Sequence, residues 1–241
     1  MLSERITMFS LFLSYLFPRR CPICRHILKN PQTLICPDCY KKVEFVREPS
    51  CFSCGKPLER EETEFCSDCR KHPKTFYRGM ALCLYNNEVR DSLAAVKYEN
   101  QREFTQFYVE EIRRQKANLL RELNIDLIVP VPVHKRKRRQ RGFNQATLFA
   151  EGIGDILNIP VSEHVLTRIK YTKPLKALTP KERQAAMEHS FWASEEVRGK
   201  RILLVDDIYT TGATAECCTK VMMEKGAETV YVFCVAIGHG V

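Results

Sequence analysis

The sequence predicts an α/β protein built on a parallel sheet, with a small cysteine-rich module in front of it. Three observations carry this expectation. Four Cys-x-x-Cys pairs recur at intervals of 15 residues between Cys21 and Cys69. From about residue 80 onward, short apolar runs of strand length alternate with longer stretches whose apolar residues recur every three or four positions, which is the sequence signature of strands joined by helices. Ile202–Val205 is apolar without interruption, as expected of a strand covered on both faces in a parallel sheet.

The knuckles are Cys21/Cys24, Cys36/Cys39, Cys51/Cys54 and Cys66/Cys69. A two-residue gap lets both thiolates of a knuckle reach one ion, and two knuckles complete a tetrahedral site. Disulfides are the competing use of these cysteines. The chain is expected to carry no export signal, and a reducing cytosol disfavours them. Adjacent and interleaved pairings of the knuckles both satisfy the spacing, but an internal repeat separates them. Cys21-Pro-Ile-Cys24 with Leu28 matches Cys51-Phe-Ser-Cys54 with Leu58, and Cys36-Pro-Asp-Cys39 matches Cys66-Ser-Asp-Cys69, a unit of 30 residues present twice. Duplication of a self-sufficient unit favours adjacent pairing, with Cys21, Cys24, Cys36 and Cys39 on one Zn²⁺ and Cys51, Cys54, Cys66 and Cys69 on a second. His26 and His72 are surplus beside complete four-thiolate sets. Closed sites of this kind supply folding energy rather than chemistry.

The 241 residues suffice for one ordinary core and a small appended module, so the expected organisation is a short apolar helix within 1–20, the double Cys₄ module over 21–75, and an α/β domain over 80–241. Formal charge is +9, and two Cys₄ zinc sites at −2 each lower it to +5, a moderate surplus that suits phosphate ligands as well as DNA. Residues 6–17 are mostly apolar yet too few to span a bilayer. They are expected to pack on the main domain, the alternative being peripheral contact with a membrane or a partner. The expected location is the cytoplasm, including the inner face of the membrane if that contact is made.

Ala81–Tyr85 has the character of a strand, and Val89, Leu93 and Val96 line one face of a helix over 89–98. Phe104, Phe107, Tyr108, Ile112, Leu119 and Leu123 mark one long amphipathic helix over 103–123. Asp126–Val133 is a buried strand stopped by prolines. Six bases then fall within seven positions, Lys135 to Arg141, before a helix stripe of Phe143, Ala146, Ala150, Ile153 and Leu157. This basic turn is open to three plain explanations: a solvated charge run, a DNA contact or a localisation-signal lookalike. Val165–Leu178 is polar, basic and interrupted by Pro174, as in a flap that closes over a substrate. Cys217 and Cys218 are expected to be packing thiols, and Thr229–Ile237 is the last strand.

The stretch 200–214 concentrates the chemistry. Asp206 and Asp207 follow the apolar run where α/β sheets present ligands, since two adjacent acids cannot both be buried unpaired. Thr210, Thr211, Gly212, Ala213 and Thr214 then turn into a helix, and their hydroxyls and N–H groups can converge on a phosphate. Carboxylates for a diol and a nest for a phosphate describe a ribose phosphate.

Val205–Thr214 resembles the phosphoribosyl-pyrophosphate fingerprint of type I phosphoribosyltransferases. Together with Leu93, Lys97-Tyr98, Pro132, Arg139, Arg141–Gln145, Leu178, Arg183 and Phe191, it makes the chain resemble the ComF family of late competence and DNA-utilisation proteins over nearly its whole length. The resemblance implies a type I phosphoribosyltransferase-like fold that binds phosphoribosyl pyrophosphate with Mg²⁺. It implies that Asp206 and Asp207 hold the ribose hydroxyls, that residues 210–214 hold the 5′-phosphate, and that Arg139, Arg141 and Lys97 approach the pyrophosphate. Leu175 and Ala186 depart from the pattern, which expects Gln and Asn there. No general base stands out and the acceptor is unreadable, so two functions stay open. One is pentosyl transfer. The other is a non-catalytic competence factor that contacts single-stranded DNA or the uptake helicase, with the pocket regulatory or structural.

Overall fold

The structure, a computed structural model, describes residues 18–169 and 190–238. The expected N-terminal helix and the part of the flap beyond Ile169, with Leu175, Leu178, Arg183 and Ala186, lie outside them. No helix among the described residues is long and apolar enough to cross a membrane.

The 30-residue repeat reappears in the backbone. Cys21 N donates to His26 O, Arg25 N to Cys21 O and Leu28 N to Arg19 O; Cys51 N donates to Lys56 O, Gly55 N to Cys51 O and Leu58 N to Pro49 O. The tight turn needs a left-handed residue, supplied by Arg25 at φ 62° and by Gly55 at φ 80°. Gly55 has a second reason to be glycine, since a Cβ would come within 2.9 Å of the Met80 Cα. Each unit then forms one helical turn, α1 (Pro37–Tyr40) and α2 (Ser67–Lys71).

Four parallel strands make the sheet: β1 (Arg78–Leu84), β2 (Leu127–Pro130), β5 (Arg201–Tyr209) and β6 (Thr229–Ile237), in the order β1-β6-β5-β2. A separate antiparallel pair, β3 (Leu166–Arg168) and β4 (Phe191–Ala193), stands apart from it. Both outer edges of the sheet are covered, as exposed edges invite unwanted pairing. Residues 44–46 run antiparallel to β1, with Val46 N donating to Leu82 O and Leu84 N to Glu44 O. Along β2, Ile128 N donates to Pro160 O and Ser162 N to Ile128 O.

Alternate residues of β5 feed two cores. Leu203 and Val205 pack with α3 (Asn87–Tyr98), α4 (Thr105–Gln115), α5 (Ala117–Glu122) and α7 (Gln145–Leu157). Ile202 and Leu204 pack with α8 (Ala213–Glu224) and with Leu166 and Phe191 of the small pair. Cys218 and Cys234 are buried in that second core and Cys217 packs against it, as expected of packing thiols.

Three expectations are corrected. The helix over 103–123 is two helices that part at Lys116, where φ turns to −125° and the ammonium reaches the Val46 carbonyl at 3.1 Å. The basic run is no turn but a helix, α6 (Lys135–Arg141), capped by His134 at one end and by Gly142 at φ 81° at the other. The strand carrying the acids does not stop before them: pairing with β6 carries β5 on to Tyr209, opposite Ile237.

Candidate functional site

The acids sit near the C-terminal end of β5, with Asp206 opposite Cys234 of β6. Asp207 is 4 % exposed and its carboxylate forms an ion pair with Lys97, whose side chain is itself largely covered. Lys97 belongs to the last turn of α3, and α3 is held in place by the apolar face Val89, Leu93 and Val96 and by the Asn86 side chain capping Val89 N at 3.0 Å. Burial opposes the Lys97 charge, but the Asp207 carboxylate beside it holds its pKa above the ordinary lysine value. Among the described residues Asp206 forms no ion pair of its own. Its Oδ1 accepts from the Asp207 N–H at 2.9 Å, while burial and then the neighbouring Asp207 charge push its carboxyl well above the usual carboxylate range. Asp206 thus favours its proton beside the Asp207–Lys97 ion pair. A cation or a ring of hydroxyls brought to this edge would relieve that imbalance.

A cationic group faces the acids. Lys137 of α6 has its pKa lowered by burial and then by Arg168, Arg141 and Lys97, which places four cations in electrostatic contact. Arg141 is positioned by the Gln145 Oε1 at 3.0 Å and the Tyr98 hydroxyl at 3.2 Å, with its guanidinium 4.9 Å from the Tyr98 ring centre. Beside Gln145, Asn144 is fixed by donating to Val131 O and by capping Ala146 N. Arg168 lies over the Phe191 ring. Lys137 and Arg141 are four positions apart and share one helix face; Arg139 lies between them in sequence and is exposed on the other. Of the two arginines expected at this loop, the structure therefore brings only Arg141 into the cluster. Neither Lys137 nor Arg168 stood out as a member in the sequence, because a run of like charges reveals no preferred face until its helix is known.

Residues 210–214 connect the end of β5 to the first turn of α8. Gly212 has φ 77°, and a Cβ there would overlap the Tyr209 hydroxyl. Thr211 Oγ1 accepts from Ala213 N at 3.4 Å. The N–H groups of Thr210, Thr211 and Gly212 find no acceptor among the described residues, and they stand at the positive end of α8. Thr210, Thr211 and Ala213 are exposed and Thr214 half-buried, so the loop is open to a ligand.

A second kind of site lies in the repeat. The thiol sulphurs of Cys21, Cys24, Cys36 and Cys39 lie within 4.8 Å of one another, as do those of Cys51, Cys54, Cys66 and Cys69. The contacts Cys21–Cys36 at 3.8 Å, Cys24–Cys36 at 3.9 Å and Cys54–Cys66 at 3.7 Å fit the edge of a tetrahedron, about 3.8 Å for Zn–S bonds of about 2.3 Å. The adjacent pairing is borne out, and neither His26 nor His72 joins a set. These are two structural zinc sites.

Comparison with known proteins finds the following likenesses. Residues 12–70 match the double zinc ribbon domain. Competence protein F of Haemophilus influenzae is 27 % identical over 227 residues, covering 90 % of this chain and 96 % of its own length. The chain is thus similar to a competence protein over nearly its whole length. Competence protein ComFC of Bacillus subtilis is 26 % identical over 83 % of this chain and 82 % of its own. Among solved structures, a purine phosphoribosyltransferase of Pyrococcus horikoshii is 21 % identical, covers 54 % of this chain and 74 % of its own, and superposes with a TM-score of 0.37. The structure gives places to the residues that carried the resemblance: Leu93 packs in the core under α3, Phe143 lies under the Arg102 guanidinium at 4.1 Å, and Phe191 is in β4.

Proposed function

We propose that this ComF-like chain binds phosphoribosyl pyrophosphate with Mg²⁺ at the shared edge of β2 and β5 and serves DNA uptake in transformation. The observation that carries the proposal is the meeting, at one sheet edge, of the Asp206/Asp207 pair, the unsatisfied N–H groups of residues 210–212 and the cluster Lys97, Lys137, Arg141 and Arg168. This donor set fits the ligand. The acids hold the ribose hydroxyls, the turn and the start of α8 hold the 5′-phosphate, and Arg141 with Lys137 faces the pyrophosphate. Bound Mg²⁺ would neutralise pyrophosphate charge. In pentosyl transfer, the cations of this chain would stabilise the charge that grows on the departing group, and the ion pair with Lys97 would hold the Asp207 carboxylate in place beside the sugar. The test is calorimetry on the zinc-loaded protein with phosphoribosyl pyrophosphate and Mg²⁺, combined with release of pyrophosphate in the presence of a panel of bases. Binding is expected for the native chain and is lost in D206N/D207N.

The Asp207–Lys97 pair favours a second function, because an acid already neutralised is less available to a ribose diol. In that case the pocket is regulatory, and the chain acts in the cytoplasm or at the inner membrane face by contacting single-stranded DNA or the uptake helicase. Ligand binding without pyrophosphate release, with salt-sensitive affinity for a single strand, would select it.

A further inference from the structure

Tyr98, the last residue of α3, is 72 % exposed, more than any other large apolar or aromatic side chain among the described residues, and it joins none of their apolar clusters. An exposed tyrosine is ordinarily free to turn, but this one is pinned. Its hydroxyl accepts from the Arg141 guanidinium at 3.2 Å, and that guanidinium lies 4.9 Å from its ring centre. The ring therefore keeps an open face in a fixed place while covering no core. Two neighbours set that place. Lys97, the preceding residue, pairs with Asp207, the acid proposed to hold the sugar, and Arg141 is proposed to face the pyrophosphate. The sugar carbon from which pyrophosphate departs lies between those two contacts, so Tyr98 stands beside the point where an incoming group arrives. Tyr85, half-buried just past the end of β1, belongs to the same rim: burial raises its pKa, and Lys97, Asp207, Arg90 and Tyr98 all act on it.

We propose that Tyr98 is a specificity-determining residue of the acid-pair site, its open face stacking on a flat unsaturated ring that is carried by the sugar or delivered to it. The inference rests on the proposed binding of a ribose phosphate at the acid pair. A tyrosine has only two side-chain torsions and this one is already held, so stacking on it costs little further ordering. A planar heterocycle gains from that face, whereas an aliphatic amine or a hydroxyl group has no flat surface to lay against it.

The probes are the ribonucleoside 5′-monophosphates of adenine, guanine, cytosine and uracil, and ribose 5-phosphate, which has their sugar and phosphate without a ring. Each is titrated calorimetrically into the zinc-loaded full chain at one salt concentration. At least one nucleotide is expected to bind at least about tenfold more tightly than ribose 5-phosphate, as stacking of one base on an aromatic side chain allows. The ratio of the two affinities is the readout, because damage to the acids or to the 210–214 turn lowers both and leaves the ratio alone. It is expected to fall below about twofold in Y98A and to return in Y98W, which restores a ring without the hydroxyl. Because Tyr98 is exposed, Y98A spares the core, and an unchanged Tm checks this. D206N/D207N is expected to weaken both kinds of probe together. Ribose 5-phosphate that binds with no nucleotide preferred, or a preference that survives Y98A, overturns the role of Tyr98 and leaves the proposed function standing. So does a ratio that Y98W fails to restore, since the hydroxyl on Arg141 and not the ring would then matter. A nucleotide affinity untouched by D206N/D207N puts the nucleotide elsewhere and is equally fatal. If neither ribose 5-phosphate nor any nucleotide binds at millimolar concentration, the ribose-phosphate site itself fails and the inference falls with it.

Discussion

Lys97 and Asp207 are a largely covered pair far apart in sequence, and removing either leaves the other charged with little water around it. K97M is therefore expected to cost about 3–5 kcal/mol, more than the loss of an exposed ion pair. The double variant K97M/D207N, with neither charge, should recover much of that loss, and thermal melts of the four proteins measure the coupling. Asp206 behaves oppositely. Burial and the Asp207 charge raise its pKa in the fold, so it costs nothing while protonated in both states and destabilises the fold as pH climbs above its unfolded value. D206N keeps the Oδ1 that accepts from Asp207 N and removes the charge. It should raise stability at pH 7 by on the order of 1 kcal/mol, about 2–4 °C in Tm for a chain of this size. The gain should vanish near pH 4. A lower Tm for D206N at pH 7 would mean that the charge on Asp206 is compensated within the fold after all.

At the scale of the element, α6 decides which cations reach the site. Its two ends are set by the His134 cap and the left-handed Gly142, and Lys137 and Arg141 come out on one face. R141A is therefore expected to weaken phosphoribosyl pyrophosphate binding by about tenfold, while R139A changes it by less than about twofold. Calorimetry under identical salt checks the contrast, and equal losses would contradict the assignment of faces. This helix also marks where the sequence stopped being legible. Six bases in seven positions contain no apolar stripe, so periodicity is silent about whether they turn or coil. Elements with an unbroken apolar run were readable: β6 matches the expected Thr229–Ile237, and α8 begins at Ala213 because Gly212 fixes the turn before it. For β5 the two acids interrupt the apolar run, which hid the four positions that pairing with β6 adds. The break at Lys116 was invisible for a different reason, since the side chain reaches a carbonyl of the cysteine-rich unit and only the tertiary fold brings the two together. The acid pair and the 210–214 turn were legible because their chemistry is local. The cations facing them come from α3, α6 and β3, and no local pattern unites those.

At the scale of the molecule, the two zinc units are not equivalent, although the repeat makes them look so. Cys51, Cys54 and Cys69 lie in the same apolar cluster as Leu204, Val232 and Cys234 of the sheet, and Phe76 packs edge-on against Tyr209 at 6.5 Å between ring centres. Gly79 tightens this seam: its N–H donates to Ser53 O at 2.7 Å, and a Cβ on it would come within 2.9 Å of the Cys54 Cα. Cys21 and Cys39, by contrast, close a small cluster of their own with Leu28. Zinc binding is folding energy, so its loss should be felt as far as the surrounding core is shared. C54S is expected to release one zinc and to destabilise the sheet with it, giving a large fall in Tm and loss of amide protection along β1 and β6. C24S, at an exposed thiol, is expected to release one zinc as well but to leave protection of β5 and β6 near that of the native chain. Equal loss of sheet protection in both variants would show the first unit to be as deeply coupled as the second. Because Tyr209 lies against Phe76 on one side and beneath Gly212 on the other, C54S should also loosen the 210–214 turn, and phosphoribosyl pyrophosphate affinity should fall in C54S while it survives in C24S.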